Sequence, residues 1–282
     1  MAVDLHTHSR ASDGSDEPAV LVERAARAGL RALALTDHDT LDGIPEARET
    51  ANRLGLELVP GVELSLEWDR GGMHMLVLWL EPGPGPLQDR LSRLQEGRER
   101  RNRRMVERLR ELGIDIDYRE VEAEAGPGVV GRPHLAAVLV RKSVVPDIPT
   151  AFTEYLAKGR PAYVDRERLG PHEAIGLARS SGAVPVLAHP HTLDLDDPFE
   201  MDDILADLRD SGLVGLECHY GTYGAVQRAA MVALARRHGL IPSGGSDYHG
   251  TYKADVLLGT GRVGITVPDE VLAELSSART SG

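Results

Sequence analysis

The sequence has a single cysteine, Cys218, which leaves it neither a disulfide framework nor a thiolate metal cage. One thiol suits a reducing compartment. An excess of positive charge is also missing, since the net charge is −12 with histidines neutral. No overall positive field therefore draws in duplex DNA or an anionic membrane, and recognition of phosphate has to come from a local cluster of arginines. Long apolar runs are absent as well. The longest notable one, Met75 to Leu80, is far too short to cross a bilayer. The first residues lack the basic-then-apolar pattern of a secretion signal, so a cytoplasmic protein is expected.

What is present is the composition of a globular chain. Its 282 residues, 41% hydrophobic and 27% charged, suffice for one large α/β domain or a domain with an insertion. Short apolar runs alternate with amphipathic stretches. Asp16 and Pro18 mark a helix start and Gly29 its end, before the buried run "RALALTDHD" (31–39). "EARETANRLG" reads as a second helix stopped by Gly55, "LELVPGVELS" as a return to strand, and "MHMLVLWL" (73–80) as another buried strand. "EPGPGP" (81–86) then breaks the pattern. From Leu87 to about Leu112 the period is helical and highly charged, and the following residues carry helix signals but few strands. Alternation resumes at Pro171, with helices at 171–182, 200–211 and 224–239 and strands at 183–189, 213–218 and 240–247. Repeated β-then-α units predict a mostly parallel sheet or barrel, formed by residues 1–86 and 171–282. The helical middle, 87–170, reads as an insertion.

Polar residues fall at a consistent place in this frame. His6 and His8 are one residue apart on the first apolar segment, so both imidazoles point to one face. Asp37, His38 and Asp39 follow the second strand, Glu63 follows a strand and a Pro-Gly turn, and His74 lies near the start of "MHMLVLWL". His189 caps "AVPVLA", and Asp247 and His249 close "LIPSGGSDYH". Most of these are C-terminal ends of strands, the rim on which a (β/α) barrel builds its active site. Histidine and carboxylate without cysteine is the donor chemistry of catalytic Zn, Mn or Fe. A lone histidine at a strand end usually only packs, but so many at equivalent positions do not, and buried together without metal they would be costly. Their number implies two or three divalent ions sharing a bridging carboxylate.

The motifs "DLHTHSRASDGS", "ALTDHDT", "PGVELS", "MHMLVLWL", "VLAHP" and "GGSDYHG", in this order, resemble the PHP (polymerase and histidinol phosphatase) superfamily. The likeness is closer to its stand-alone phosphoesterase branch, which includes nucleoside 3′,5′-bisphosphate phosphatases and a 5′→3′ exoribonuclease. It spans nearly the whole chain and implies a distorted (β/α)7 barrel of PHP type with a helical insertion domain shaping the substrate pocket. It also implies a trinuclear metal site in which no ligand position departs from the pattern. His6, His8 and Asp247 would hold one ion with Glu63, and Glu63 would bridge to a second held with His74 and His189. Asp13, His38 and His249 would hold the third. Glu63, Asp247 and His189 are the catalytic set this pattern implies.

The expected activity is metal-dependent hydrolysis of phosphate esters of small nucleotides or trimming of short single-stranded RNA, with metal-activated hydroxide attacking phosphorus. The alternatives are a phosphatase for a non-nucleotide phosphate such as histidinol phosphate, or a metal-stabilised binding module without turnover. No oligomeric state follows from the sequence. For substrate contacts, Arg132 and His134 in "GRPH" are expected at a helix start that meets a phosphate. Lys158 and Arg160 in "YLAKGRPAYV" form a second candidate anion clamp, or an ordinary basic helix end. Arg100, Arg104 and Arg108 are spaced for a solvated helix face, with the alternative that some turn to the cleft, and Tyr163 either simply packs or offers a base platform. Asp37 and Asp39 are expected either to orient histidines or to cap strand ends. His172, His219 and His238 read as structural, and His191 as a surface residue with leaving-group protonation as its alternative.

Overall fold

Apolar runs become strands, and the amphipathic segments between them become helices that cover them. The computed structural model describes residues 2–126, 128–197 and 199–279. The chain runs β1 (Ala2–Asp4), α1 (Pro18–Arg27), β2 (Leu30–Leu35), α2 (Ile44–Leu54), β3 (Glu57–Leu66) and β4 (Met73–Leu78). A helical stretch follows: α3 (Pro86–Glu111), α4 (Tyr118–Ala125), α5 (Arg132–Arg141), α6 (Ile148–Ala151) and a wide helical turn at Phe152–Leu156. Alternation then resumes with α7 (Pro171–Ser180), β5 (Val184–Ala188), α8 (Glu200–Asp210), β6 (Gly215–Tyr220), α9 (Ala225–Arg237), β7 (Ile241–Gly245) and α10 (Asp269–Ser277).

The strands lie in sequence order in one seven-stranded sheet. Its ends nearly meet: Leu5 N–H donates to Gly244 O at 3.2 Å, and Asp247 N–H donates to His6 O at 2.9 Å. The result is a nearly closed, distorted barrel. Gly245 permits this closure, because a Cβ there would stand 2.4 Å from the His6 backbone nitrogen. All neighbours pair in parallel except β4, which is antiparallel to both β3 and β5. Pro60 and Gly61, which read as a turn, instead lie inside β3. There the strand changes partner, from β2 up to Pro60 to β4 from Gly61 onward, so the missing proline N–H costs no ladder bond.

The sheet is buried on both faces. Ala32, Ala34, Leu76, Leu78, Val184 and Val186 cluster with Leu272 and Leu275 of α10. Leu33, Leu35, Met75, Val77 and Leu187 pack instead with residues such as Leu21, Ala47, Ile175 and Leu205 of the covering helices. Alternate positions along each strand thus serve different cores. The helices between β4 and β5 have a third core, which includes Met105, Leu109, Val121, Leu135, Leu139 and Leu156. Helix α3 belongs to both regions: Leu87, Leu91 and Leu94 pack in the barrel core, and Met105 and Leu109 in the helical one.

Candidate metal centre and adjoining cavity

The barrel rim brings all nine expected donors together. His6 and His8 follow β1, His38 follows β2, His189 follows β5, and Asp247 and His249 follow β7. His74 comes from the start of β4, and the reversed direction of that strand puts its start on the rim where the others end. Glu63 occupies the centre. Its Oε1 lies 2.7 Å from His74 Nδ1 and 2.9 Å from His189 Nε2. Its Oε2 lies 3.2 Å from His6 Nε2, 3.1 Å from His8 Nε2 and 3.4 Å from His38 Nδ1. Asp13 faces His8, His38 and His249 at 3.7, 3.6 and 3.4 Å. Asp247 Oδ1 faces His6, His8 and His249 at 3.6, 3.5 and 3.4 Å.

This donor set fits divalent cations. Burial alone would raise the carboxyl pKa of Glu63, Asp13 and Asp247, but the facing imidazoles, and Lys253 in the case of Asp247, outweigh it and hold all three well below the usual carboxylate range. The acids therefore stay ionised. His6 Nε2 and His8 Nε2 stand 3.1 Å apart, although His6 already donates through Nδ1 to Glu217 Oε1 at 3.0 Å. Two imidazole nitrogens and a carboxylate oxygen thus converge where hydrogens on both nitrogens would collide, an arrangement that a cation resolves. Among the described residues, the donor groupings that fit one ion are His8–Asp13–His38–His249, His6–His8–Asp247, His6–Glu63–His189 and His38–Glu63–His74.

A ring of partners aims these donors, and no sequence motif marks it. Glu217, on the buried strand β6, holds His6 Nδ1 and also accepts the His189 backbone N–H at 2.7 Å. Tyr220 and Lys253 both donate to Asp247 Oδ2 at 2.7 Å, which leaves Oδ1 to the cage. His249 Nδ1–H donates to Asp247 O at 2.9 Å and frees Nε2. Such contacts fix tautomers and ring orientation. The only sequence signal for Glu217 was a charge in an otherwise apolar strand. Neither Asp37 nor Asp39 orients a histidine. Asp37 accepts from Ser9 N–H and from the Ser9 and Ser12 hydroxyls, and Asp39 pairs with arginines. The backbone is left-handed at Asp39, His189 and Asp247, with φ of 57°, 23° and 58°, a strain typical of functional sites.

Beside the cage opens a cavity of about 800 Å³, lined by Asp13, His38, His74, His249 and Lys253 where it meets the donors. The helical region supplies Arg98, Arg101, Arg132, Arg166 and Arg168, and Trp68 and Phe152 give it apolar faces. Arg98 and Arg101 are buried, at 7% and 5% exposure. Burial and the neighbouring guanidiniums depress the basicity of Arg101, Arg132 and Arg166, a mutual repulsion that a bound anion would relieve.

Several expected substrate contacts are placed differently. Arg132 lines the cavity, its guanidinium 6.0 Å from the Tyr163 ring and 5.6 Å from that of Phe152. His134 is buried and away from the lining, because its Nδ1 accepts the Gly131 N–H at 3.0 Å and caps α5. Lys158 lines the cavity edge and donates to Asp69 O at 2.8 Å. Arg160 is exposed and lies outside the lining. Arg100 and Arg104 face solvent, and Arg108 donates to Tyr163 O. Tyr163 lines the cavity, its hydroxyl donating to Asp165 at 2.9 Å. His191 is exposed, its ring on the Tyr223 hydroxyl at 2.9 Å. His172 and His238 pair with Asp207 and Asp202, and His219 is half-buried on β6.

A barrel rim that gathers histidines and carboxylates beside a cationic cavity defines a metal-dependent phosphoesterase. The chain belongs to the PHP family. The PHP domain pattern matches residues 4–122. A 3′,5′-nucleoside bisphosphate phosphatase of Chromobacterium violaceum is 35% identical over 251 residues, covering 88% of this chain and 87% of that protein. The 5′-3′ exoribonuclease Rnm of Salmonella typhimurium is 35% identical over 248 residues, covering 87% and 84%. A phosphoribosyl 1,2-cyclic phosphate 1,2-diphosphodiesterase of Eggerthella lenta is 34% identical over 257 residues, covering 89% and 95%. Two solved structures superpose with TM-scores of 0.87 at 31% identity. One, from Bifidobacterium adolescentis and assigned to the metal-dependent phosphoesterases, covers 98% of this chain and 96% of its own. The other, an amidohydrolase from Chromobacterium violaceum with bound sulfate and no metal, covers 99% and 97%. Among the described residues no helix is long and apolar enough to cross a membrane.

Proposed function

We propose that this protein hydrolyses a phosphate ester of a small nucleotide that carries a second phosphate, such as a nucleoside 3′,5′-bisphosphate, or the phosphorylated end of short single-stranded RNA. One observation carries the reading: the cavity that meets the donor cage is walled by Arg98, Arg101, Arg132, Arg166 and Arg168. With one phosphate at the cage, five guanidiniums would be balanced only by Asp39, shared by Arg98 and Arg166, and by Asp165 on Arg168, and a second phosphate supplies the missing negative charge. The names of the relatives agree, since a bisphosphate nucleotide and an RNA chain both hold phosphates spaced along ribose. Histidinol phosphate fits less well, because its ammonium would meet the arginine wall. The net charge of −12 favours small or single-stranded substrates over duplex, and the lone buried Cys218 fits the cytoplasm.

In this reading two or three divalent ions, Mn, Fe or Zn, occupy the cage. The family pattern would give His6, His8, Asp247 and Glu63 to the first, Glu63, His74 and His189 to the second, and Asp13, His38 and His249 to the third; His6–His8–Asp247 and Asp13–His38–His249 each converge, whereas His74 and His189 converge with Glu63 in separate groupings. When bound, such ions polarise phosphoryl oxygens and make hydroxide available near neutral pH. The protein's own groups do the rest. Glu63 separates and bridges the two sides of the cage, Glu217 keeps His6 Nε2 pointed inward, and Lys253 adds positive charge beside Asp247. The helical unit 87–170 holds the remote phosphate, and Trp68, Phe152 and Tyr163 offer surfaces for a base.

The test is a panel of a nucleoside 3′,5′-bisphosphate, the matching 3′-monophosphate, a 5′-phosphorylated oligoribonucleotide and histidinol phosphate, assayed with metal-loaded enzyme. The bisphosphate or the oligonucleotide should have the highest kcat/KM. A preference for histidinol phosphate, or equal rates on mono- and bisphosphate, contradicts the reading.

A further inference from the structure

His38 and Asp39 are neighbours whose side chains part company. His38 faces the cage, between Glu63 and Asp13. Asp39 is fully buried and turns toward the arginine wall, where its Oδ2 accepts from Arg98 Nη2 and from Arg166 Nη2, the latter at 2.9 Å. Its backbone is anchored on both sides. The N–H donates to Glu63 O at 3.1 Å, and the carbonyl accepts from Gln95 Nε2 of α3 at 2.8 Å. One residue is thus tied to the backbone of Glu63, whose side chain is at the centre of the cage, to α3 and to the 165–168 segment.

The charges do not balance locally. Two buried guanidiniums share a single carboxylate, and Arg98 Nε, one terminal nitrogen of Arg166 and Asp39 Oδ1 have no hydrogen-bond partner. Without Asp39 the two cations would repel each other with nothing to hold their geometry. With it, they stand as a fixed pair whose remaining donors are free for an anion. We propose that Asp39 is a positioning residue, holding Arg98 and Arg166 at a set distance from Glu63 so that the substrate's second phosphate and its scissile phosphate are held together in register. This rests on the reading of the cavity given above.

Asp39→Asn isolates the effect. Asparagine tolerates the left-handed backbone at φ 57°, so the substitution removes charge and little else. With metal-loaded enzyme, the ratio of kcat/KM for a nucleoside 3′,5′-bisphosphate over the 3′-monophosphate should fall about tenfold. The change should be mainly in the bisphosphate KM, with kcat moving far less and bound metal equal to wild type. A loss shared equally by both substrates, an unchanged ratio, or a fall in bound metal overturns the proposal. If this variant fails to fold, Arg166→Gln leaves Asp39 paired to Arg98 and is judged by the same ratio. Arg101→Gln separates the two levels of argument, because Arg101 makes no hydrogen bond or ion pair with Asp39 in the structure. If it lowers the ratio and Asp39→Asn does not, the positioning role alone fails. If wild type shows no preference for the bisphosphate, the cavity reading fails and takes this inference with it.

Discussion

The two ends of the cavity are built on different principles. At one end, loops that leave strand ends deliver histidines and carboxylates to a rim, and the barrel decides where they go. At the other, arginines come from one long helix and from the 132 and 165–168 segments, and the face of α3 decides which of them enter. The first kind of site is rigid by construction, since its donors, Asp13 excepted, lie in or close after strands of one continuous sheet. The second depends on a separate helical core and on a single buried carboxylate, Asp39, shared between two cations. In the proposed reading, catalysis therefore sits on the barrel scaffold and selectivity on the helical region beside it.

The comparison predicts unequal consequences of mutation. Glu63→Ala removes the carboxylate faced by His6, His8, His38, His74 and His189. Metal content by elemental analysis should drop sharply and activity should fall on the order of a thousand-fold or more. Metal content unchanged in this variant would deny Glu63 its central role. Glu217→Gln leaves every donor in place but loosens His6 and His189, and should cost roughly 10- to 100-fold in metal affinity or activity. Arg101→Gln belongs to the other end. Metal content should stay at the wild-type level while the bisphosphate KM rises about tenfold. Loss of metal there would show that the two ends are not separable.

How far each end was legible in the sequence follows from the same difference. The donors could be read because strand geometry has period two and its ends are marked by polar residues, so "DLHTHS" and "GGSDYH" declare their place. The antiparallel direction of β4 is not marked in the sequence, and only that reversal puts His74, at a strand start, on the rim with the others. On α3 the charged run drew attention to Arg100, Arg104 and Arg108, which lie on or toward the solvent side. The inward residues were marked more quietly. Leu87, Leu91, Leu94, Arg98, Arg101, Met105 and Leu109 continue one stripe at spacings of three and four, so two arginines occupy positions that an amphipathic helix gives to leucine. A cation on an apolar stripe was the signal. Asp39 gave none, because its partners lie far along the chain.

The smallest predicted effect contrasts a histidine that builds structure with those that crowd the cage. His134 is buried, and its Nδ1 accepts the Gly131 N–H at the start of α5. Burial holds its pKa below the ordinary value of 6.5. A depressed histidine contributes stability that is present above its unfolded pKa and is lost as pH falls below about 6.5, with a slope of at most about 1.4 kcal/mol per pH unit. Once protonated, Nδ1 can no longer accept the capping hydrogen bond. His134→Gln should keep the cap through its side-chain oxygen and carry no titration. Hydrogen exchange at the α5 amides, followed from pH 7.5 to 5.5 and corrected for intrinsic rates, should show protection declining in wild type and staying nearly level in the variant. Equal declines in the two would mean that the helical region loses stability in acid through the cage histidines instead, and that the two ends of the cavity are energetically one unit.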